Sequence, residues 1–260
     1  MTKILTLKSG SQCGDELSLE YKNEWRQKFK NFKENNQDFF SNENLNIDDL
    51  AEKITRCEPF SFCRFSDGEY LLMQPKYRFV SLDGVLIPGK PTKLGDELKK
   101  IISYRDVDFK LGLVLLHLEN LPNMFFDIYE MLGDYSGYEE ILWPTTAIRP
   151  RNKWCEVLNE TKKDVVLVAN ENIDVNNLCV DINEFFPIPT QGIDYYENNS
   201  EKFKTEIQNI AVNNSNSIFI ISAGMLANVV CYEGWKLNKS NWYIDIGAGI
   251  HNLKIEEEIK

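Results

Sequence analysis

Apolar positions along this chain change period repeatedly, from helical spacing to short continuous runs and back. Leu17, Tyr21, Trp25, Phe29 and Phe32 recur at helical spacing in a charged segment, which predicts an amphipathic helix over residues 16–34. The Asn- and Glu-rich stretch 34–46 reads as a linker or surface loop. Ile47, Leu50, Ala51 and Ile54 mark a second helix, with Asn46 as its cap. Phe60-Ser61-Phe62-Cys63 is a strand, followed by a turn at Asp67 and a helix from Tyr70. A helix over 93–104 leads to Lys110-Leu111-Gly112-Leu113-Val114-Leu115-Leu116, a run that fits a strand buried on both faces. Helix 152–162 precedes the strand Val165–Val168, and Phe185–Ile188 reads as a strand weakened by Pro187. Helix 199–213, capped by Asn199 or Ser200, leads to strand Ile218–Ile221. Helix 225–237 then leads to strand Trp242–Ile246.

Strand, helix, strand, repeated, predicts an α/β fold: a Rossmann-like, mostly parallel sheet with helices on both faces. Residues 1–46 form an N-terminal helical extension and linker in this reading, and residues 47–260 a single α/β domain. Ligands of such sheets gather outside the carboxyl ends of the strands. The residues found there are Asp67 and Glu69, His117, Asn170-Glu171-Asn172, Ser222-Ala223-Gly224 and Gly247-Ala248-Gly249.

Two of these clusters carry chemistry on their own terms. In extended backbone, side chains two residues apart point the same way, so Asp67 and Glu69 could present oxygens to one hard cation. The plainer reading is a solvated Asp-Gly turn. Ser222-Ala223-Gly224 joins a strand to a helix, where unpaired amides and small residues suit a phosphate. A tight strand–helix junction explains the same residues. Asp245-Ile246-Gly247-Ala248-Gly249 looks like a dinucleotide fingerprint, but too little chain follows it for the βαβ unit such a motif opens.

Composition narrows the classes. The net charge is −11 and the pI about 4.8, which argues against a broad nucleic-acid or anionic-lipid surface. The longest apolar run, Ile218–Tyr232, is broken by Ser222, Gly224 and Asn228, so no membrane span is expected. The first residues, Met1–Leu7, show no signal-peptide pattern. Cys13, Cys57, Cys63, Cys155, Cys179 and Cys231 are scattered with no CxxC pair, which predicts buried free thiols in a reducing cytoplasm. With only His117 and His251, the sequence argues against a multi-histidine zinc site.

Arg64-Phe65-Ser66-Asp67-Gly68-Glu69 resembles the Arg-Phe-Gly-Asp-Gly-Glu signature of the bacterial GT-D-fold glycosyltransferases. Ile221–Ala227 and Trp242–Gly247 are similar to that family's closing segment, a Leu-Gly-Pro-Thr-Ala-like turn into a helix and an Ile-Asp-Ile-Gly strand. Arg149-Pro150-Arg151 falls where the family has a basic Arg-Pro segment. The resemblance spans roughly residues 47–252. Ser66 stands for the usual glycine, Ser222-Ala223-Gly224 for Gly-Pro-Thr, and Gly247-Ala248-Gly249 for a Gly-His or Gly-Ser continuation.

The resemblance implies a metal-dependent hexosyltransferase using a nucleoside diphosphate sugar, a UDP-hexose first among them. Asp67 and Glu69 would hold Mn2+ or Mg2+. Donor contacts would come from Arg64, Phe65, Ser66, Gly68, Arg149, Arg151, Asn170, Ser222, Ala223, Gly224, Met225, Asp245 and Gly247. His251 is the candidate base for an acceptor hydroxyl, beside Glu233, Asp245 and Asp194. Trp143, Tyr195, Tyr196 and Trp235 are candidates for stacking on uracil or sugar, with core packing the ordinary role of each. The acceptor would be a glycan, lipid-linked glycan or glycoprotein, with no nucleic-acid partner. The expected location is cytoplasmic, peripheral at the inner membrane face, with homo-oligomerisation left open. The competing readings are another nucleotide-using enzyme (a methyltransferase or nucleotidyl enzyme) and a non-catalytic partner that kept the fold.

Overall fold

The computed structural model describes residues 6–8, 19–35, 47–74, 78–80, 86–88, 90–113, 126–128, 131 and 151–253. The chain divides into two compact units. The first comprises residues 1–44, 64–106 and 111–145, and the second residues 45–63, 107–110 and 146–260.

In the first unit, strand β1 (Thr6–Lys8) pairs parallel with β3 (Arg78–Val80), which pairs antiparallel with β4 (Leu86–Pro88). Each strand is three residues long. Helix α1 spans Leu19–Asn35, close to its predicted bounds. Helix α3 (Asp67–Met73) packs against α4 (Lys93–Ile102). The approach is close because Gly95 has no side chain: a Cβ there would lie 2.3 Å from the Leu72 carbonyl oxygen. Thr92 caps α4 by accepting the Gly95 N–H at 2.9 Å.

The second unit is built on a six-stranded parallel sheet. Its strands are β2 (Ser61–Phe65), β5 (Phe109–Leu113), β6 (Val165–Asn170), β7 (Glu184–Ile188), β8 (Ile218–Ser222) and β9 (Trp242–Asp245), in the spatial order β5-β2-β9-β8-β6-β7. β2 and β5 run on from this unit into the first. Helices α2 (Ile47–Thr55), α5 (Arg151–Glu160), α6 (Gly192–Asn213) and α7 (Ala227–Leu237) flank the sheet, α2 packing on α5 and α6 on α7. This is the α/β class that the alternating pattern predicts. β6 and β8 each have a strand on both sides, and Val166, Leu167, Val168, Phe219 and Ile221 are wholly buried. Burial on both faces is why these strands read as unbroken apolar runs.

Two departures have clear causes. The helix expected from residue 199 begins at Gly192 and continues through Asn199, whose φ of −133° and ψ of 25° interrupt it. The capping residue thus marks a kink inside α6, where the Asn199 side chain bonds the Tyr195 carbonyl at 3.0 Å. Pro187 is accommodated because β7 ends the strand order. Ile188 turns its carbonyl toward β6, accepting the Glu171 N–H at 2.9 Å. N–H and C=O directions alternate along a strand, so the Pro187 nitrogen faces away from β6.

α7 lies unusually close to β9. A Cβ on Gly234 would come within 2.3 Å of the Tyr243 ring, so only glycine permits this packing. Tyr243 donates its hydroxyl proton to the Asn238 carbonyl at 3.1 Å and accepts from the Asn241 amide at 3.2 Å. Burial pushes its phenol pKa well above the usual tyrosine range.

One expectation fails outright. Cys155 and Cys179 are joined by a disulfide, with Cα atoms 5.8 Å apart, whereas free thiols were expected. Cys57, Cys63 and Cys231 are free, the last two buried.

Candidate functional site

In the first unit the carboxylate pair sits in a setting different from the extended one expected. Ser66 is extended (φ −135°, ψ −165°), and α3 begins at once with Asp67. Residues two apart on a helix do not share a face, so the same-side argument fails. A capping interaction takes its place: Glu69 Oε2 accepts the Ser66 backbone N–H at 2.8 Å. The Ser66 hydroxyl donates to Asp67 Oδ1 at 3.0 Å. Glu69 is buried, and Asp67 half-buried. The positive end of α3 stabilises both carboxylates. Arg64, Ser66 and Gly68 are half-buried beside them in sequence, while Phe65 is wholly buried. The Tyr70 hydroxyl donates to the Asp127 carboxylate.

These donors are hard oxygens, which suits Mg2+ or Mn2+. Asp67 is the more exposed carboxylate, and one Glu69 oxygen already holds the Ser66 amide. Among the described residues no three His, Cys, Asp or Glu side chains gather as a metal site. A cation here would therefore draw most of its ligands from water and substrate phosphate, as Mg2+ commonly does.

In the second unit the relevant geometry lies at the carboxyl ends of β8 and β9. β8 ends at Ser222, and a short 3-10 turn, Gly224–Leu226, feeds α7. Gly224 has φ +53° and is exposed, with nothing among the described residues within 4 Å of the place a Cβ would take. The left-handed backbone calls for glycine there, and the lack of neighbours leaves it open to a ligand. Ala223 and Met225 are half-buried on either side. The Ser222 hydroxyl donates to the Gly247 carbonyl at 2.8 Å. Gly247, at φ +46°, donates its N–H to Asp245 Oδ1 at 2.9 Å. Asp245 is buried, and this bond shapes the turn after β9.

The run Gly247–Leu253 is a 3-10 helix that contains His251, whose side chain lies outside the described residues. Arg151 opens α5, with its side chain also outside them. His117, Trp143 and Arg149 lie wholly outside the described residues. Asn170 ends β6 and accepts the Asn172 N–H at 2.9 Å, forming a local turn. Glu233 is buried and accepts from the Gln208 amide at 2.8 Å, and Asp194 is exposed in the first turn of α6. Tyr196 and Trp235 are core residues. Tyr195 donates to Glu206 at 3.3 Å, and burial together with the Glu206 charge holds its phenol above the ordinary range.

One residue of interest escaped the sequence reading. Asn228, in the first turn of α7, is 0% exposed, and among the described residues neither of its amide atoms has a hydrogen-bond partner. Its signal was present: an amide inside the otherwise apolar run Leu226–Cys231. Unpaired buried amides are uncommon enough to require a reason.

No family model matches the chain, and no curated protein matches it. The structure is similar to two solved structures of domain of unknown function 1792. The first, described as highly conserved and as having a distinct glycosyltransferase fold, is 18% identical, with 83% of each chain covered and a TM-score of 0.49. The second, a selenomethionine-substituted form, is 19% identical over 77% of this chain and 76% of that one, with a TM-score of 0.48. At such values the likeness does not decide an activity. The α/β assignment stands on the strand order and pairings described above.

Proposed function

We propose that the protein is a divalent-cation-dependent glycosyltransferase that moves a hexose from a nucleoside diphosphate sugar, UDP-linked in the first instance, to a glycan, lipid-linked glycan or glycoprotein acceptor. The observation that carries this reading is the open, left-handed Gly224 in the turn from β8 into α7. A small-residue turn at the carboxyl end of a parallel strand, opening a helix, is where α/β proteins bind phosphate. The motif resemblance at Arg64–Glu69 supplies the choice of reaction.

In this reading the backbone around Ala223, Gly224 and Met225 binds the diphosphate. Ser222 positions that turn through Gly247, and Asp245 positions Gly247 in turn. Arg64 contributes a phosphate contact of the charge-assisted kind. Asp67 and Glu69 hold the cation, with Glu69 also fixing the entry to α3. When bound, the cation would neutralise charge on the departing diphosphate. His251 takes the proton of the acceptor hydroxyl.

The test is a thermal-shift panel of UDP- and GDP-sugars with Mn2+, with Mg2+ and with EDTA, on wild type and on Asp67→Ala/Glu69→Ala. Metal-dependent stabilisation by one nucleotide sugar, lost in the double variant, is the expected result. A response to S-adenosylmethionine without metal, or to no donor at all, would overturn the reading.

A further inference from the structure

We propose that Cys155 and Cys179 form a redox-active dithiol–disulfide site whose state sets the order of the Gly247–Leu253 run. The two cysteines come from different segments. Cys155 is on α5, and Cys179 follows the short 3-10 turn Val175–Asn177. Their Cα separation of 5.8 Å lies within the range a disulfide spans. Both residues are half-buried rather than wholly enclosed. Cys63 and Cys231 differ: they are wholly buried, and the Cys231 thiol is spent on the Phe62 carbonyl at 3.4 Å.

Cys179 is also a mechanical junction. Its N–H donates to the Leu253 carbonyl at 2.7 Å, the last residue of the Gly247–Leu253 run. Its own carbonyl accepts from the Asn159 amide of α5 at 2.9 Å. α5 in turn packs on the same run. The disulfide therefore fixes, covalently, the strut on which the end of that run rests. In the dithiol state the strut keeps the two hydrogen bonds and the packing of α5 but loses its covalent tie.

The co-reactant class is a low-molecular-weight disulfide, RSSR. One protein thiolate attacks RSSR, forming a mixed disulfide and expelling RS−. The second protein thiolate attacks the mixed disulfide, closing Cys155–Cys179 and expelling the second RS−. The dithiol loses two electrons and two protons, and RSSR becomes two RSH. Reduction is the reverse, with two RSH as the reductant.

The experiment equilibrates wild-type protein across ratios of reduced to oxidised glutathione. Free thiols are alkylated and mapped by mass spectrometry, and backbone hydrogen exchange is followed at Cys179 and across Gly247–Leu253. Cys155 and Cys179 should gain and lose alkylation together, and reduction should speed exchange at the Cys179 amide about 10-fold. Cys155→Ser should exchange at the reduced-state rate in every buffer. Alkylation of both cysteines at every ratio, or joint protection with no change in exchange, would overturn the proposal. So would a Cys155→Ser protein that exchanges like the oxidised wild type. No nucleotide sugar enters these readouts, so their failure is separate from failure of the transferase reading.

Discussion

The Ser222 hydroxyl donates to the Gly247 carbonyl at 2.8 Å, binding the turn after β8 to the turn after β9. Ser222 is half-buried, so the bond has the worth of an ordinary intramolecular hydrogen bond. Ser222→Ala should cost about 1 kcal/mol in urea unfolding. Under the proposed function it should also weaken the thermal shift given by a nucleotide sugar, because Gly224 loses its support. A variant with unchanged stability would show that the bond is not formed in solution.

Glu69 and Asp67 can be separated experimentally. Glu69→Gln keeps an acceptor for the Ser66 N–H, since Gln serves the same capping role, and should leave stability within about 0.5 kcal/mol of wild type. Glu69→Ala removes that acceptor and should cost about 1 kcal/mol. If Glu69 also ligates a cation, Glu69→Gln should abolish the Mn2+-dependent donor shift while the fold stays intact. Retention of that shift in Glu69→Gln, with its loss in Asp67→Asn, would leave Asp67 as the metal-binding carboxylate.

Asn228 gives a sign that is easy to read. Replacing a buried amide that has no partner among the described residues by an apolar group of similar volume removes a desolvation penalty of roughly 1–3 kcal/mol. Asn228→Leu should therefore unfold at higher denaturant concentration than wild type. Destabilisation instead would mean that an ordered water satisfies the amide.

Reduction of Cys155–Cys179 reopens a loop of 24 residues' separation. On the chain-entropy account that is worth about 3.5 kcal/mol, so wild type in strong reductant should melt roughly 10 °C lower than in its absence. Cys155→Ser/Cys179→Ser should show the lower midpoint in both conditions.

Tyr243 sets the alkaline limit. Its phenol is held protonated in the folded state well above the unfolded value, so between the two pKa values the unfolded chain binds fewer protons. The stability it contributes is whole below about pH 10 and declines as pH rises further. Urea midpoints measured from pH 8 to 11 should fall above pH 10, and Tyr243→Phe should flatten that limb while lowering the neutral-pH midpoint.

Several elements are legible because burial on both faces writes itself as an uninterrupted apolar run, as in Val165–Val168 and Ile218–Ile221. The α/β class follows from such strands alternating with helices. The three-residue strands β1, β3 and β4 are too short to show a period, and none was expected. Asn199 or Ser200 reads as a cap because both side chains have the chemistry of one; the chain bends α6 at Asn199. At Asp67 the error had a similar origin: Ser66-Asp67-Gly68-Glu69 carries both a turn dipeptide and a capping spacing, and the capping spacing governs. The disulfide was hidden because spacing alone does not pair scattered cysteines. The backbone opening at Gly224 was visible only as small residues, since neither a φ angle nor free space is written in sequence.

Pro187 has a consequence for how the molecule behaves when crowded with copies of itself. With its nitrogen turned outward on the last strand, it removes a hydrogen-bond donor that an incoming strand would need. Exposed Glu184 adds a negative charge at the start of the same strand. Edge-to-edge growth of the sheet is thereby discouraged on this side, so concentrated solutions should resist β-type aggregation there, and Pro187→Val should weaken that resistance.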